Sequence, residues 1–175
     1  MKELSRTVGI CGAPFDRTEN EMETLAFVLV RMDGRIEGIS KVRVETDGTD
    51  STEAIIGEIQ KKYSERCNYI MMPGITFAGL NICNISEVYS ATVIPVLSIV
   101  KHSPDTASIK RAIIRHTYDP EKRISILEQA SPVLLSLGKM KYAPVEEEKL
   151  DDILKNLPKV KESLVEELDM NMYRE

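Results

Sequence analysis

The chain contains few of the residues that build zinc sites, disulfide frameworks and aromatic stacking surfaces. Its 175 residues include no tryptophan, three phenylalanines, three cysteines and two histidines. The cysteines never occur at a two-residue spacing, which predicts reduced, buried thiols and argues against disulfides or a zinc cluster. So little aromatic surface argues against strong non-specific binding of nucleic acid by base stacking.

Long apolar runs are also missing. The start of the sequence has no run that resembles a signal peptide, and the apolar stretch 93–100 falls far short of the ~20 residues of a membrane helix. Hydrophobic residues make up 42% of the chain and charged residues 29%, as in a globular domain with a full core. We therefore expect a cytoplasmic protein without a membrane partner.

Charge is distributed unevenly along the sequence. Residues 144–175 carry ten acidic and five basic residues, which accounts for the whole net charge of −5. The sequence thus divides into a neutral domain, 1–143, and an acidic tail, 144–175, for which two short helices broken at Pro158 or a mobile segment are both open. Within the neutral part, residues 101–123 have six basic and three acidic side chains. This surplus indicates a polyanion as partner.

Apolar periodicity and turn signals predict five strands and four helices. Asp33-Gly34 marks a hairpin turn between the second and third strands. Asp50 and Glu53 form a variant of the capping box at the start of the first helix. The predicted strands are 6–10, 24–32, 36–44, 68–72 and 92–100; the predicted helices are 50–66, 82–91, 105–116 and 121–129; and 131–142 is extended.

This order of elements is that of a ribonuclease H-like fold. The fold is α/β, with a mixed five-stranded sheet in which an antiparallel meander precedes parallel strands, and with flanking helices. Right-handed crossovers favour this topology, with the first strand between 24–32, antiparallel, and 68–72, parallel. The alternative is a flavodoxin-like doubly wound sheet, which lacks the opening meander.

Three segments at predicted strand ends resemble an uncharacterised archaeal family, domain of unknown function 99, a relative of endonuclease V. The resemblance covers roughly the first 140 residues, within the size of a single domain. The segments are Val8-Gly9-Ile10-Cys11-Gly12-Ala13-Pro14-Phe15, Asp47-Gly48-Thr49-Asp50-Ser51-Thr52 and Met72-Pro73-Gly74-Ile75-Thr76-Phe77-Ala78-Gly79-Leu80-Asn81.

The resemblance implies a metal-dependent nuclease site in which carboxylates at strand ends hold Mg²⁺. Cys11 and Gly12 stand where the family has an Asp pair, and Pro73 stands where endonuclease V has Asp. A thiol is a poor ligand for Mg²⁺, so we expect a degenerate site without a resident metal. Asp47 and Asp50 remain as candidate catalytic remnants, although a turn explains Asp47 equally well and a helix cap is the favoured explanation of Asp50. Mg²⁺ is the expected cofactor only if nuclease activity survives.

The third segment resembles a loop that lines the nucleotide groove in endonuclease V. Its candidate binding residues are Gly74, Thr76, Gly79 and Asn81. The glycines allow a phosphate to approach the backbone closely, and a helix from about residue 82 would direct its amides at an anion. The ordinary alternative is a strand-to-helix turn in which Phe77 and Leu80 fill the core.

The remaining candidate substrate-binding residues are Cys11 and Gly12 together with basic residues of the second half of the chain. Lys110, Arg111 and Arg115 lie on one predicted helix, where they would contact phosphates; Lys101 and His102 precede it. His102 follows the fifth strand, so a Cys11–His102 pair is conceivable, although an inert buried thiol is the simpler interpretation.

Two main hypotheses of function follow. In the first, the protein binds nucleic acid on an endonuclease V-like scaffold whose metal centre has degenerated. In the second, it is a non-catalytic interaction module or homodimer, and the acidic tail shields the basic segment. A residual metal-dependent nuclease is a third alternative.

Overall fold

A computed structural model of the chain describes residues 5–13, 21–100 and 104–130, and the backbone of 140–142. The chain divides into two units, Met1–Pro144 and Val145–Glu175. The predicted acidic tail lies outside the described residues. The strands and helices are β1 (Arg6–Gly12), β2 (Met22–Arg31), β3 (Ile36–Glu45), α1 (Ser51–Lys62), β4 (Tyr69–Met72), β5 (Thr76–Phe77), β6 (Asn81–Ile82), α2 (Ile85–Thr92), β7 (Val96–Ile99), α3 (Thr106–His116), α4 (Pro120–Gln129) and β8 (Met140–Tyr142).

Six strands form one mixed sheet in the order β3-β2-β1-β4-β7-β8. β1 is antiparallel to β2 and parallel to β4. β2 and β3 are antiparallel, and β4 and β7 are parallel. The predicted meander followed by parallel strands is therefore confirmed, and the doubly wound alternative is excluded. β8 extends the sheet with an antiparallel strand inside the predicted extended segment 131–142.

The turn between β2 and β3 is the predicted Asp33-Gly34 turn. Gly34 has a φ of 84°, which a glycine adopts without strain, and its N–H donates to the Arg31 carbonyl over 2.8 Å. The Arg31 guanidinium lowers the pKa of the Asp33 carboxyl to about 2. Local turn chemistry thus fixes the register of this hairpin.

The core lies between the sheet and its helices. Alternate residues of β2 are fully buried, as are apolar residues of α1 and α2 that pack on the same core. Tyr63, just after α1, stacks on Phe27 at 6.3 Å between ring centroids, and its hydroxyl bonds to the Ser40 hydroxyl. No helix within the described ranges has the length and apolar character needed to cross a membrane.

Three predicted boundaries were wrong by three residues or more. α1 ends at Lys62 rather than near residue 66. α2 begins at Ile85 rather than 82, because residues 76–77 and 81–82 pair as the small hairpin β5–β6. β7 begins at Val96 rather than 92, because Val93 ends α2 in the left-handed conformation with a φ of 59°.

Candidate functional site

The ends of five strands meet at one edge of the sheet. β1, β3, β4 and β7 finish there, and β2 begins there, as the pairing directions require. Ligand sites of open α/β sheets lie at such an edge. The loop 46–50 after β3 and the segment 73–84 after β4 therefore form the candidate site.

Asp47 joins these two loops. Its N–H donates to the Ala78 carbonyl over 2.8 Å, and its Oδ1 accepts the Leu80 N–H at 2.7 Å. Asp47 and Ala78 both have positive φ angles, 53° and 42°, as does Gly79 at 80°. Asp tolerates this conformation better than most residues, which explains its presence in the turn. Asp47 therefore shapes the site, and its predicted catalytic role stays a prediction.

Asp50 stands at the N-cap position of α1, but its carboxylate makes no cap hydrogen bond. Instead it accepts the Glu45 N–H at 3.1 and 3.2 Å and the Asn81 side-chain amide at 2.7 Å. The Asn81 Oδ1 accepts the Ser51 N–H at 3.2 Å, so Asn81 satisfies an amide of the first helical turn. The predicted capping box was wrong, because the side-chain oxygen of Asn81, and not the Asp50 carboxylate, accepts an N–H of the first helical turn.

Asn81 is fully buried. Its amide also donates to the Glu45 carbonyl at 2.9 Å. The structure thus places this candidate binding residue beneath the site, where it holds the loop 46–50 against β6. Its predicted contact with substrate is untested, and its observed contacts position Asp50.

Glu23 is a site residue that sequence reasoning missed. Its side chain is 5% exposed, and its carboxylate accepts the Ala78 N–H. A Cβ added to Gly12 would overlap the Glu23 Oε1, so this carboxylate occupies the space that a side chain at position 12 would need. Burial raises the pKa of Glu23, and the Ala78 N–H opposes that shift. A signal was present, since Glu23 shares the strand face of the buried Leu25 and Phe27.

Cys11 is exposed at the end of β1, which corrects the prediction that all three thiols are buried. Cys67 and Cys83 are buried, and burial raises their pKa values to about 11 and about 12. Cys11 differs because the strand alternation turns Ile10 inward and Cys11 outward. His102 and Lys101 lie outside the described residues, so the Cys11–His102 pair stays a prediction.

The segment 73–84 combines exposed and buried positions. Gly74 has a φ of 151°, and Thr76 is exposed. Phe77 and Leu80 are buried, which confirms that they contribute to the core. The predicted helix start at residue 82 was wrong, because α2 begins at Ile85 and the Asn84 side chain accepts the Glu87 N–H. Binding of an anion by the helix amides stays a prediction.

The described carboxylates at this edge are engaged in holding the loops together. Glu23, Asp47 and Asp50 each accept hydrogen bonds from backbone or amide N–H groups that hold the loops. Among the described residues, no three His, Cys, Asp or Glu side chains group in a way that could hold a metal ion. β1 ends in a thiol and a glycine, neither of which suits Mg²⁺. The donors in residues 5–13 and 21–100 therefore do not fit the magnesium centre that the family resemblance implies.

Arg123 of α4 clamps the two loops together and is also a residue that the sequence did not reveal. It was counted with the basic surface, yet it is only 2% exposed. Its Nη1 donates to the carbonyls of Gly48 at 2.9 Å and Leu80 at 2.6 Å, and its Nε donates to the Asp119 carboxylate. Lys122, the preceding residue, is exposed and lines a small recess beside this clamp with Gly48 and Arg123.

The three candidate basic residues of α3 differ in their surroundings. Lys110 is partly buried and forms an ion pair with Glu128 of α4. Arg111 and Arg115 are exposed, and their four-residue separation places them on one side of the helix. Arg111 donates to the Ser108 hydroxyl over 2.6 Å. α3 contacts α4, and α4 contacts β6, so helix packing connects this surface to the candidate site.

Sequence comparison identifies the family. The profile of the family described as "Endonuclease dU" matches residues 3–160. The chain belongs to this family. A UPF0215 protein of Thermoplasma volcanium is 34% identical to it over 131 residues, which cover 75% of this chain and 66% of the relative. A UPF0215 protein of Pyrococcus horikoshii is 29% identical over 147 residues, with coverage of 83% and 76%.

Solved structures agree with the fold of this Endonuclease dU family member. A protein of unknown function from Archaeoglobus fulgidus has a TM-score of 0.75 at 26% identity, with coverage of 88% of this chain and 90% of the other. Endonuclease V of Ciona intestinalis in complex with an inosine-containing DNA has a TM-score of 0.50 at 10% identity, with coverage of 89% and 78%. The latter likeness concerns the fold alone.

Proposed function

We propose that this protein binds nucleic acid through backbone phosphates, on an endonuclease V-like fold whose metal centre is degenerate. The observation that carries the proposal is the pair of exposed guanidinium groups, Arg111 and Arg115, on a helix that packs toward the candidate site. Guanidinium groups match phosphate geometry and stay charged at every physiological pH. The family description, which names an endonuclease and dU, supports a nucleic acid as the polyanion.

The proposal that the metal centre is degenerate rests on the side chains that are available as metal ligands at the sheet edge. Endonuclease chemistry with two ions requires several carboxylates directed at one point. Here Glu23 and Asp47 are engaged by the Ala78–Leu80 turn, and Cys11 takes the place of a first-strand carboxylate. We therefore expect the acidic residues to shape a binding loop rather than to activate water.

Binding is tested by fluorescence anisotropy with labelled oligonucleotides at low salt. Replacing Arg111 and Arg115 by Ala should weaken binding about equally for every base sequence, because phosphate contacts carry no sequence information. A matched control replaces two other exposed basic residues, Arg35 and Lys61, and should bind nearly as the wild type does. Equal losses in both double variants would contradict a defined phosphate site on α3.

Cleavage is tested on the same oligonucleotides with deoxyuridine or inosine inserted. We expect no cleavage above background in Mg²⁺ or Mn²⁺, because the donors do not fit these ions. Robust cleavage that an Asp47→Asn variant abolishes would establish the residual nuclease instead. Restoring Asp at positions 11 and 73 should increase metal affinity if the centre has degenerated from a nuclease.

Homodimer formation is a second candidate function, and the edge strand β3 favours it. In the described part of the chain, β3 pairs with β2 alone, and its Ile39 is 70% exposed. An antiparallel pairing of two copies about Ser40 would place Glu37 opposite Arg43 of the second copy. Opposite charges in facing positions stabilise such a pair.

Light scattering after size-exclusion chromatography tests this candidate. If β3 forms the interface, Ile39→Lys should convert a dimer into a monomer, because in this register the new ammonium group faces Lys41 of the second copy and like charges in facing positions repel. The control Ile114→Lys changes a similarly accessible isoleucine of α3, which is 62% exposed. A wild-type chain that elutes as a monomer at high concentration would rule out the dimer.

A further inference from the structure

Tyr118, between α3 and α4, is the most exposed of the large apolar or aromatic side chains described. Its side chain is 81% exposed, whereas Tyr63 is buried and Tyr69 and Tyr89 are half-buried. An exposed aromatic ring offers a face on which another planar group can stack. Tyr118 therefore needs an explanation other than core packing.

The ring is held in place rather than free. The Cζ of Arg123 lies 5.7 Å from the Tyr118 ring centroid, in the range of a cation–π contact. Arg123 is in turn fixed by its bonds to Asp119, Gly48 and Leu80. One face of the Tyr118 ring thus lies against the buried Arg123 guanidinium. The high exposure of the Tyr118 side chain leaves the ring accessible to a ligand.

The backbone that carries Tyr118 is also fixed. Thr117 ends α3 in an extended conformation, and both its N–H and its hydroxyl donate to the Ile113 carbonyl, over 3.0 and 2.8 Å. A ring presented by an ordered backbone loses little conformational freedom when a ligand stacks on it. The ordered backbone therefore favours the interpretation that Tyr118 contacts a ligand over the interpretation that it is an ordinary surface residue.

The charges around the ring indicate the kind of ligand. Arg111 and Arg115 are exposed on the preceding helix, and the exposed Lys122 follows on α4. A ring whose neighbours along the chain include these three cations, beside the exposed Glu121, suits a base whose neighbouring phosphates carry negative charge. Bases of a duplex are stacked on each other and do not offer their faces, whereas bases of a single strand do.

We propose that Tyr118 is a base-stacking residue and that this surface therefore binds single-stranded nucleic acid in preference to duplex. The proposal rests on the nucleic-acid binding proposed above and adds its substrate class. The scarcity of aromatic residues is compatible with it, because one ordered ring is sufficient for one stacked base.

The experiment uses the full chain and compares Tyr118→Leu, Tyr118→Phe and the wild type. The probes are a labelled thymidine oligonucleotide, alone and annealed to its complement. Removing the stacking ring should weaken single-strand binding about tenfold and leave duplex binding unchanged. The Phe variant keeps an aromatic face and should bind the single strand nearly as the wild type does.

A second variant reports stacking directly. The natural chain has no tryptophan, so Tyr118→Trp introduces the sole indole. Unlabelled single-stranded oligonucleotide should quench its fluorescence, and duplex should quench it much less. The control Ile39→Trp places an indole on an exposed site of β3 and should be quenched by neither.

The outcomes separate this proposal from the function on which it rests. If Tyr118→Leu binds single strand and duplex as the wild type does while the Arg111 and Arg115 variant loses affinity, the stacking role is wrong and nucleic-acid binding stands. Equal losses for single strand and duplex would also overturn the stacking role. If the wild type binds neither probe at low salt, both proposals fail, and a protein partner becomes the better explanation for the ring.

Discussion

At the scale of single residues, the site depends on two close contacts that involve Glu23. Its carboxylate occupies the space above Gly12 and holds the Ala78 N–H. A side chain at position 12 would therefore have to displace the Glu23 carboxylate. This links a small residue in β1 to a buried acid in β2.

Gly12→Ala should lower the free energy of unfolding by about 1–3 kcal/mol, because the new methyl group displaces the Glu23 carboxylate from its hydrogen bond. Urea denaturation measures the loss. The same change in a Glu23→Ala background should cost less, since the obstructing carboxylate is absent. As a control, Gly57→Ala in α1 meets no atom within 4 Å and should stabilise the protein. Equal effects at positions 12 and 57 would contradict this account.

The buried carboxylate of Glu23 also predicts a dependence of stability on pH. Burial raises its pKa, so the folded state binds the proton more tightly than the unfolded state does. The resulting stabilisation is present at pH values below the ordinary glutamate pKa and is lost as the pH rises through the raised folded-state pKa. Glu23→Gln removes this titration.

The advantage in unfolding free energy of Glu23→Gln over the wild type should therefore grow as the pH rises from the ordinary glutamate pKa through the raised folded-state pKa. Denaturant titrations at several pH values measure it. A difference that stays constant across this range would show that the Glu23 carboxyl titrates alike in the folded and unfolded chains.

At the scale of elements, α4 organises the site through one side chain. Arg123 contacts the loop after β3 through Gly48 and the turn before β6 through Leu80. Neither loop is regular structure, so their relative position depends on such side-chain bonds. The Glu23 and Asp47 bonds to the same turn act from the sheet side.

Arg123→Met should destabilise the fold by about 3–5 kcal/mol, because it leaves two buried carbonyl groups and the Asp119 carboxylate without their partner. Thermal and urea unfolding measure the change. Arg111→Met removes the same charge from an exposed position and should change stability by less than about 0.5 kcal/mol. A small effect at position 123 would mean that the loops hold their positions without the clamp.

At the scale of the whole molecule, the net charge of the protein has the same sign as that of the proposed nucleic-acid ligand. The net charge is −5, so a nucleic acid is repelled at long range and is attracted only near the basic residues. Replacing acidic residues by neutral ones reduces this repulsion.

Replacing Glu146, Glu147 and Glu148 by Gln should raise affinity for single-stranded oligonucleotide at low salt, and added salt should reduce the gain. Anisotropy titrations at several salt concentrations measure both effects. A control replaces the exposed Glu21, Glu53 and Glu65 by Gln, which removes the same charge from outside the acidic tail. A larger gain in affinity from the tail variant supports shielding of the basic segment by the tail. An equal gain in both variants would show that net charge alone accounts for the effect.

The sequence by itself determined the order and direction of the strands. Apolar alternation, the Asp33-Gly34 turn and the spacing of helix residues are local signals, and neighbours along the chain are sufficient to satisfy them. The meander, the parallel strands and the sheet edge that carries the site were predictable for this reason. The exposed Arg111 and Arg115 followed from helical spacing in the same way.

Only the tertiary structure decided what the polar residues at that edge do. Glu23 contacts a residue 55 positions away, Asn81 one 30 positions away, and Arg123 residues 43 and 75 positions away. Sequence patterns over a few residues do not indicate hydrogen-bond partners that are this far apart along the chain. Arg123 was therefore counted as surface charge, and Glu23 was overlooked. Packing brought these groups together, and the need of buried polar atoms for hydrogen bonds assigned their roles.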